Sequence, residues 1–202
     1  KRFMEIDSID PNYMDQCTFL YKACLCCNVE MVEYFLSLEK IDVNKYDLSS
    51  YETPLIAAIC KGNERIIELL INYPKTDLNL RNLSGESALF HAVKKELPNV
   101  VDLLVKNERF DPIESRLNYA FIFANAEISK KLAELSFLDV NEVCVNMSQM
   151  DVKLSEISAL AYSIKTNDVD KIDLILNHPS FDKNKSDLNK AIFIAAKNNN
   201  ID

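Results

Sequence analysis

The chain has 202 residues, enough for one or two ordinary domains. Nearly half are apolar, which excludes a disordered polymer, and the net charge of −8 argues against a general binder of nucleic acid or of anionic membranes. No apolar run reaches 18 residues, so no segment is expected to span a membrane.

The amino terminus, Lys1-Arg2-Phe3-Met4-Glu5-Ile6, lacks the apolar core of a secretory signal. The six cysteines (17, 24, 26, 27, 60 and 144) show no disulfide spacing of a secreted scaffold. Both features point to reduced thiols in an intracellular, cytoplasmic protein.

A short phrase recurs: Asp10-Pro11-Asn12, Asp42-Val43-Asn44, Asp77-Leu78-Asn79, Asp139-Val140-Asn141 and Asp182-Lys183-Asn184, with a degenerate copy at Asp111-Pro112-Ile113. From Asp to Asp the spacings are 32, 35, 34, 28 and 43 residues. A period in the thirties predicts stacked repeats, each too small to bury its own apolar stripe.

In chain order, residues 1–12 align with the end of a second helix, Phe3 and Met4 falling on Leu70 and Ile71. The chain is therefore expected to begin inside an earlier repeat. A first full copy, 18–44, opens at Thr18, with Ala23 inside its first helix and Tyr34-Phe35 in its second. The clearest copy is 53–79. Thr53 is a helix cap and Pro54 stands at the first helical position, where its missing N–H costs nothing. Leu55, Ala58 and Ile59 form one apolar stripe, and Ile66, Ile67, Leu70 and Ile71 form a second. Between them Gly62 supplies a left-handed stop; after them Pro74 blocks continuation, and Asp77 and Asn79 offer turn chemistry. The next copy, 87–113, opens at Ser87, and Leu97-Pro98 places Pro98 in the first turn of its second helix.

A shorter copy, 115–141, runs from Ser115 through Leu117, Ala120 and Leu132, with almost no loop before its first helix. The connection after Asn141 is nine residues longer than the one from Asn79 to Ser87. It is read as an inserted, partly ordered finger; a sharper reading makes it a partner-contacting finger bearing Met147 and Met150. A copy at 158–184 opens at Ser158, and a last first helix is expected from Lys190, within 190–202. The chain thus reads as a piece of a longer array.

Thr53-Pro54-Leu55-Ile56 with Ala57-Ala58, followed by a glycine and a second helix, closely resembles the ankyrin repeat, whose first helix opens Thr-Pro-Leu-His. The resemblance covers nearly the whole chain. It implies an all-α fold, an ankyrin-repeat solenoid of helix-turn-helix pairs with finger loops. The copies are degenerate. The motif histidine survives only as His91, where the resemblance implies structural hydrogen bonds, and the glycine between helices survives only as Gly62. Asn167 and Asn199 stand where that glycine is expected, and Asn tolerates the left-handed backbone. Cys27, Glu96 and Ala124 fit less well and imply turns of another shape.

The resemblance further implies a partner on the concave side, built from finger tips and first helices. Two positions per repeat face it: Leu25 and Cys26, Cys60 and Lys61, Lys94 and Lys95, Ile122 and Phe123, Lys165 and Thr166, Lys197 and Asn198. Fingers add Tyr46, Tyr51 and Glu52, then Arg81, Leu83 and Glu86. The lysines favour an acidic peptide or protein surface, and Tyr46, Tyr51, Phe123 and Arg81 are of types that dominate binding energies.

Little else in the sequence carries chemistry. The two glycines, Gly62 and Gly85, stand alone, so there is no phosphate loop. His91 and His178 show no nucleophile or metal partner in sequence, and His178 is expected to be exposed. Cys24 and Cys27 make one C-x₂-C that nothing downstream completes; Cys24 falls on a core position, so it reads as a small buried hydrophobe. No catalytic residue, cofactor or metal is assigned.

The leading function is a protein-interaction scaffold. A second reading is the substrate-recruiting region of a larger enzyme or effector. A third, nucleic-acid binding through Lys61, Lys94, Lys95, Lys165 and Lys197, sits poorly with the acidic balance.

Overall fold

Each repeat starts from a capped helix. The computed structural model describes residues 10–145, 156–184 and 188–197, and among them are eleven helices and two short strands. Four helix pairs lead: α1 (Phe19–Leu25) with α2 (Val29–Leu36), α3 (Pro54–Lys61) with α4 (Glu64–Asn72), α5 (Ala88–Lys94) with α6 (Pro98–Val105), and α7 (Leu117–Phe123) with α8 (Ala126–Ala133). Strands β1 (Val143–Val145) and β2 (Glu156–Ser158) precede α9 (Ala159–Thr166), α10 (Val169–Leu176) and α11 (Leu188–Lys197).

The hydroxyls of Thr18, Thr53, Ser87 and Ser158 accept from the amides of Tyr21, Ile56, Phe90 and Ala161. Asn28, Asn63, Asn125 and Asp168 cap second helices in the same way. Such a cap contributes about 1 kcal/mol. Helix α6 has no side-chain cap and begins on Pro98 instead.

Helices of seven to ten residues do not persist alone in water. They persist here because like packs on like. First helices stack in the order α1, α3, α5, α7, α9, α11, and second helices in the order α2, α4, α6, α8, α10. The shared seam is closed to solvent: Ile56, Ala57, Ala58, Ile59, Ile66, Ile67 and Leu70 are all fully buried, as is Cys24.

The turns inside the pairs depart from the sequence expectation. Cys27 and Glu96 take the same left-handed backbone as Gly62 and Asn167, with φ of 54°, 55°, 74° and 58°. Stacking imposes one turn geometry on unlike residues, and each non-glycine residue there carries about 1 kcal/mol of strain. Ala124 alone follows the expectation of another shape, with φ −68°.

The Asp-x-Asn phrase has a specific task. Each Asp accepts from the amide two residues on, as Asp42 does from Asn44 at 3.1 Å. Asn12, Asn44, Asn79 and Asn141 then reach into the following repeat. Asn44 Oδ1 accepts from the Asp77 amide at 2.8 Å and its Nδ2 donates to the Lys75 carbonyl at 2.8 Å. Asn12 grips Asp42 and Lys40, Asn79 grips Asp111 and Arg109, and Asn141 grips Asp182 and Ser180 in the same way.

The shortened repeat is wired differently. Ser115 does not cap α7; it is fully buried, its hydroxyl donates to Asn79 at 2.6 Å and its carbonyl accepts from Ser87. Arg116, at φ 53°, precedes the helix without a side-chain cap bond. At the far end of α7 the carbonyls of Ile122 and Ala124 accept from Lys171 Nζ of α10, which lies 5.7 Å from the Phe121 ring centroid. Burial lowers the Lys171 pKa from 10.5 to about 8.

The long connection pairs its ends as an antiparallel ladder, Val143 opposite Ser158, so the fold carries one small strand pair beside its helices. Met147 and Met150 lie outside the described residues, as do residues 1–9. Helix α11 starts at Leu188, two residues ahead of the expected Lys190. His178 is half-buried rather than exposed, its Nε2 3.1 Å from the Ala133 carbonyl oxygen.

Candidate partner-binding site

The fingers are tight hairpins whose tips are joined. The Leu48 amide donates to the Gln16 carbonyl, and the Leu83 amide to the Ser50 carbonyl. Asp47 shapes its finger by accepting from the hydroxyls of Ser49 and Ser50, which holds its carboxyl below the usual value despite burial. Asn82 does the same work one repeat on, accepting from the amides of Ser84 and Glu86. Tyr51 takes a left-handed backbone, φ 58°, where the next finger has Gly85.

The sequence-predicted residues fall into two linked groups and a set of outliers. Tyr46 and Tyr51 are exposed and their rings lie 4.6 Å apart. Glu52, at the finger base, accepts from the Tyr21 hydroxyl at 3.1 Å. Cys60 Sγ lies 3.4 Å from His91 Nδ1. On the other side of that ring, Nε2 is 3.4 Å from Glu86 Oε2 and 3.3 Å from Asn82 Nδ2. Tyr21, Glu52, Cys60, Glu86 and His91 thus form one polar cluster running across α1, α3 and α5.

Burial sets its electrostatics. It lowers the His91 pKa, against the raising effect of Glu86 and Glu52, so the ring is neutral at pH 7. Burial, helped by Glu52, raises the Cys60 pKa and keeps the thiol protonated. Burial likewise raises the Tyr21 pKa, with Glu52 adding to the shift.

Phe123 belongs to an aromatic group with Phe90, Tyr119 and Tyr162, at centroid distances of 5.5, 5.2 and 5.1 Å. It is half-buried, so it packs against the next repeat and still shows one edge. Lys94 Nζ stands 5.8 Å from the Phe90 ring centroid. Phe90, Lys94, Tyr119 and Phe123, together with Glu86 and Glu96, line an open cavity of about 390 Å³.

Lys61, Lys95 and Lys165 are exposed at the carboxyl ends of α3, α5 and α9. The charge of Lys95 reaches both Cys60 and His91. Arg81 is exposed and faces Glu114 at 3.5 Å, an ion pair on the surface rather than part of either group.

Sequence reasoning missed Tyr21, Asn82 and His91 as members of one cluster. A signal existed: Cys60 and His91 are 31 residues apart, close to one repeat, and neighbouring first helices bring such positions together.

Two layers of short helices, stacked pair upon pair and clipped by a recurring Asp-x-Asn, define a helical repeat solenoid. The family model described as "Ankyrin repeats (3 copies)" matches residues 2–82 and 20–116. The chain belongs to the ankyrin-repeat family. No curated protein matches it. Among solved structures, the ankyrin repeat protein EF0377 superposes with a TM-score of 0.68 at 19% identity, over 88% of this chain and 89% of its own. At that identity the likeness is one of fold.

Proposed function

We propose that the array is a scaffold that holds another protein along the face made by its first helices and fingers, without chemistry of its own. Ankyrin repeats mediate protein–protein contact, and among the described residues no helix is long and apolar enough to cross a membrane. The observation that carries the finer reading is the juxtaposition at α5 and α7. An open cavity lined by Phe90, Tyr119 and Phe123 also has Lys94, Glu86 and Glu96 in its wall, and the exposed Lys61, Lys95 and Lys165 sit at the ends of first helices along the stack. An acidic segment carrying one apolar side chain fits that arrangement: the side chain fills the cavity and the carboxylates meet the lysines.

The test is a pull-down from native lysate with the unaltered chain and with Lys61→Glu/Lys95→Glu. Both positions are exposed, so the fold is expected to survive, checked by circular dichroism. Partners held by the native chain and lost by the variant support the reading. A folded variant that keeps every partner overturns it.

A further inference from the structure

We propose that Glu52, Cys60 and His91 form a binding site for a single divalent transition-metal ion, Zn²⁺ or a close analogue. The three residues come from three elements: the base of a finger, the last turn of α3 and the middle of α5. Each offers one ligand atom, and all three atoms lie within 4.8 Å of one another. Sulfur, imidazole nitrogen and carboxylate oxygen are the donor set of zinc, and they are not the all-oxygen set of calcium or magnesium.

The spacing supports the assignment. Metal–sulfur and metal–nitrogen bonds of about 2.3 and 2.0–2.1 Å at a tetrahedral angle put the two ligand atoms about 3.5 Å apart. Cys60 Sγ and His91 Nδ1 are already 3.4 Å apart. The remaining adjustment falls on Glu52, a half-buried side chain at a finger base with one carboxylate oxygen on the Tyr21 hydroxyl.

The outer arrangement fits as well. A metal-bound histidine usually donates its second N–H to a carboxylate, which fixes the ring. Glu86 Oε2 stands 3.4 Å from His91 Nε2. His91 is buried and Cys60 and Glu52 are half-buried, so the site is partly screened from solvent. Three protein ligands leave the fourth position to water. On binding, the Cys60 thiol gives its proton to buffer and the thiolate binds the ion.

Because the ligands join two repeats, metal binding also ties α3 to α5 and stabilises the stack by mass action. The site shares Glu52 and Cys60, and its outer carboxylate Glu86, with the residues expected to face a partner, but its cobalt readout needs no partner, so its test stands apart from that reading.

The experiment uses the whole chain, stripped with chelator, kept reduced by a phosphine and titrated with Co²⁺. The expected result is one equivalent bound, a thiolate-to-cobalt charge-transfer band and intense visible bands of tetrahedral cobalt, all displaced by Zn²⁺. Cys60→Ser should abolish the charge-transfer band, while Cys26→Ser/Cys27→Ser, which removes the two exposed neighbouring thiols, should keep it. Glu52→Gln retains the acceptor for Tyr21 and should bind at least about tenfold more weakly; Glu86→Gln should lose about tenfold through the ring. If Cys60→Ser fails to fold, Glu52→Gln and the Cys26/Cys27 variant decide the matter. Absence of the band in the native chain overturns the proposal. So does a band that survives Cys60→Ser or disappears with Cys26→Ser/Cys27→Ser, and so does unchanged affinity in Glu52→Gln.

Discussion

Asn44→Ala isolates the clip that joins one repeat to the next. The substitution removes two bonds of 2.8 Å, one accepted from the Asp77 amide and one donated to the Lys75 carbonyl. A net hydrogen bond contributes about 0.5–1.5 kcal/mol, so the pair is worth about 2 kcal/mol. The clip lies at the surface, where water re-solvates the two freed backbone groups, and this keeps the cost from climbing toward that of a buried orphan. Asp42→Ala is the control within the same phrase. It removes only the 3.1 Å local bond from the Asn44 amide and should cost about 1 kcal/mol or less. Urea unfolding followed by circular dichroism gives both values, and hydrogen exchange localises them. In Asn44→Ala the Asp77 amide should lose protection first. A loss under about 0.5 kcal/mol, with Asp77 exchange unchanged, would refute the view that the recurring Asn couples neighbours.

Two further outcomes follow from the turns and the buried lysine. Glu96→Gly relieves a left-handed backbone at φ 55° and should stabilise the chain by about 1 kcal/mol, whereas Ala124→Gly, at φ −68°, should destabilise it by a similar amount; chemical denaturation of both checks the contrast. Lys171 has a folded pKa of about 8 against 10.5 unfolded, so between those values the unfolded chain binds more protons and stability rises with pH. Buried Cys24, with its thiol pushed up to about 12 from 9, opposes this, because the unfolded thiol ionises first. The lysine's share is therefore read as the difference between the native chain and Lys171→Met: from pH 8 to pH 10 the native chain should gain relative to the variant.

The period was legible because the Asp-x-Asn phrase recurs at most of the clips, and the helices were legible because Thr53-Pro54 and two apolar stripes leave few alternatives. What the phrase does was not legible. Locally it reads as turn chemistry, and its second partner lies about thirty residues away. The same distance hid the Glu52, Cys60 and His91 cluster, since no window of sequence holds all three. Cys27 and Glu96 misled because residue preference favours another turn, while packing of their helix pairs against the neighbours holds both in the left-handed one. Among the predicted site residues, Phe123 with its aromatic neighbours and Glu52, Cys60 and Glu86 with His91 are brought together. Arg81 is turned instead to Glu114.

The family model stops at residue 116, where the repeat loses its parts one by one. Ile113 stands where the clip requires Asn, so the next repeat's Asp139 amide would have no partner. Asn118, on α7 itself, supplies one at 3.1 Å, and its amide group reaches Glu142. Ala124 stands where a left-handed residue would let the helix close on itself, and the Ile122 and Ala124 carbonyls turn to Lys171 from the following pair. The finger is nearly absent, and Ser115 joins Asn79 to Ser87 at the place a cap would occupy. At the clip a different side chain, Asn118, satisfies the same backbone amide, and at the turn Lys171 meets the Ile122 and Ala124 carbonyls, while α7 goes without a side-chain cap. A stack constrains which carbonyls and amides must be met, and leaves free the residue that meets them, so this half keeps the solenoid while departing from the repeat's own sequence.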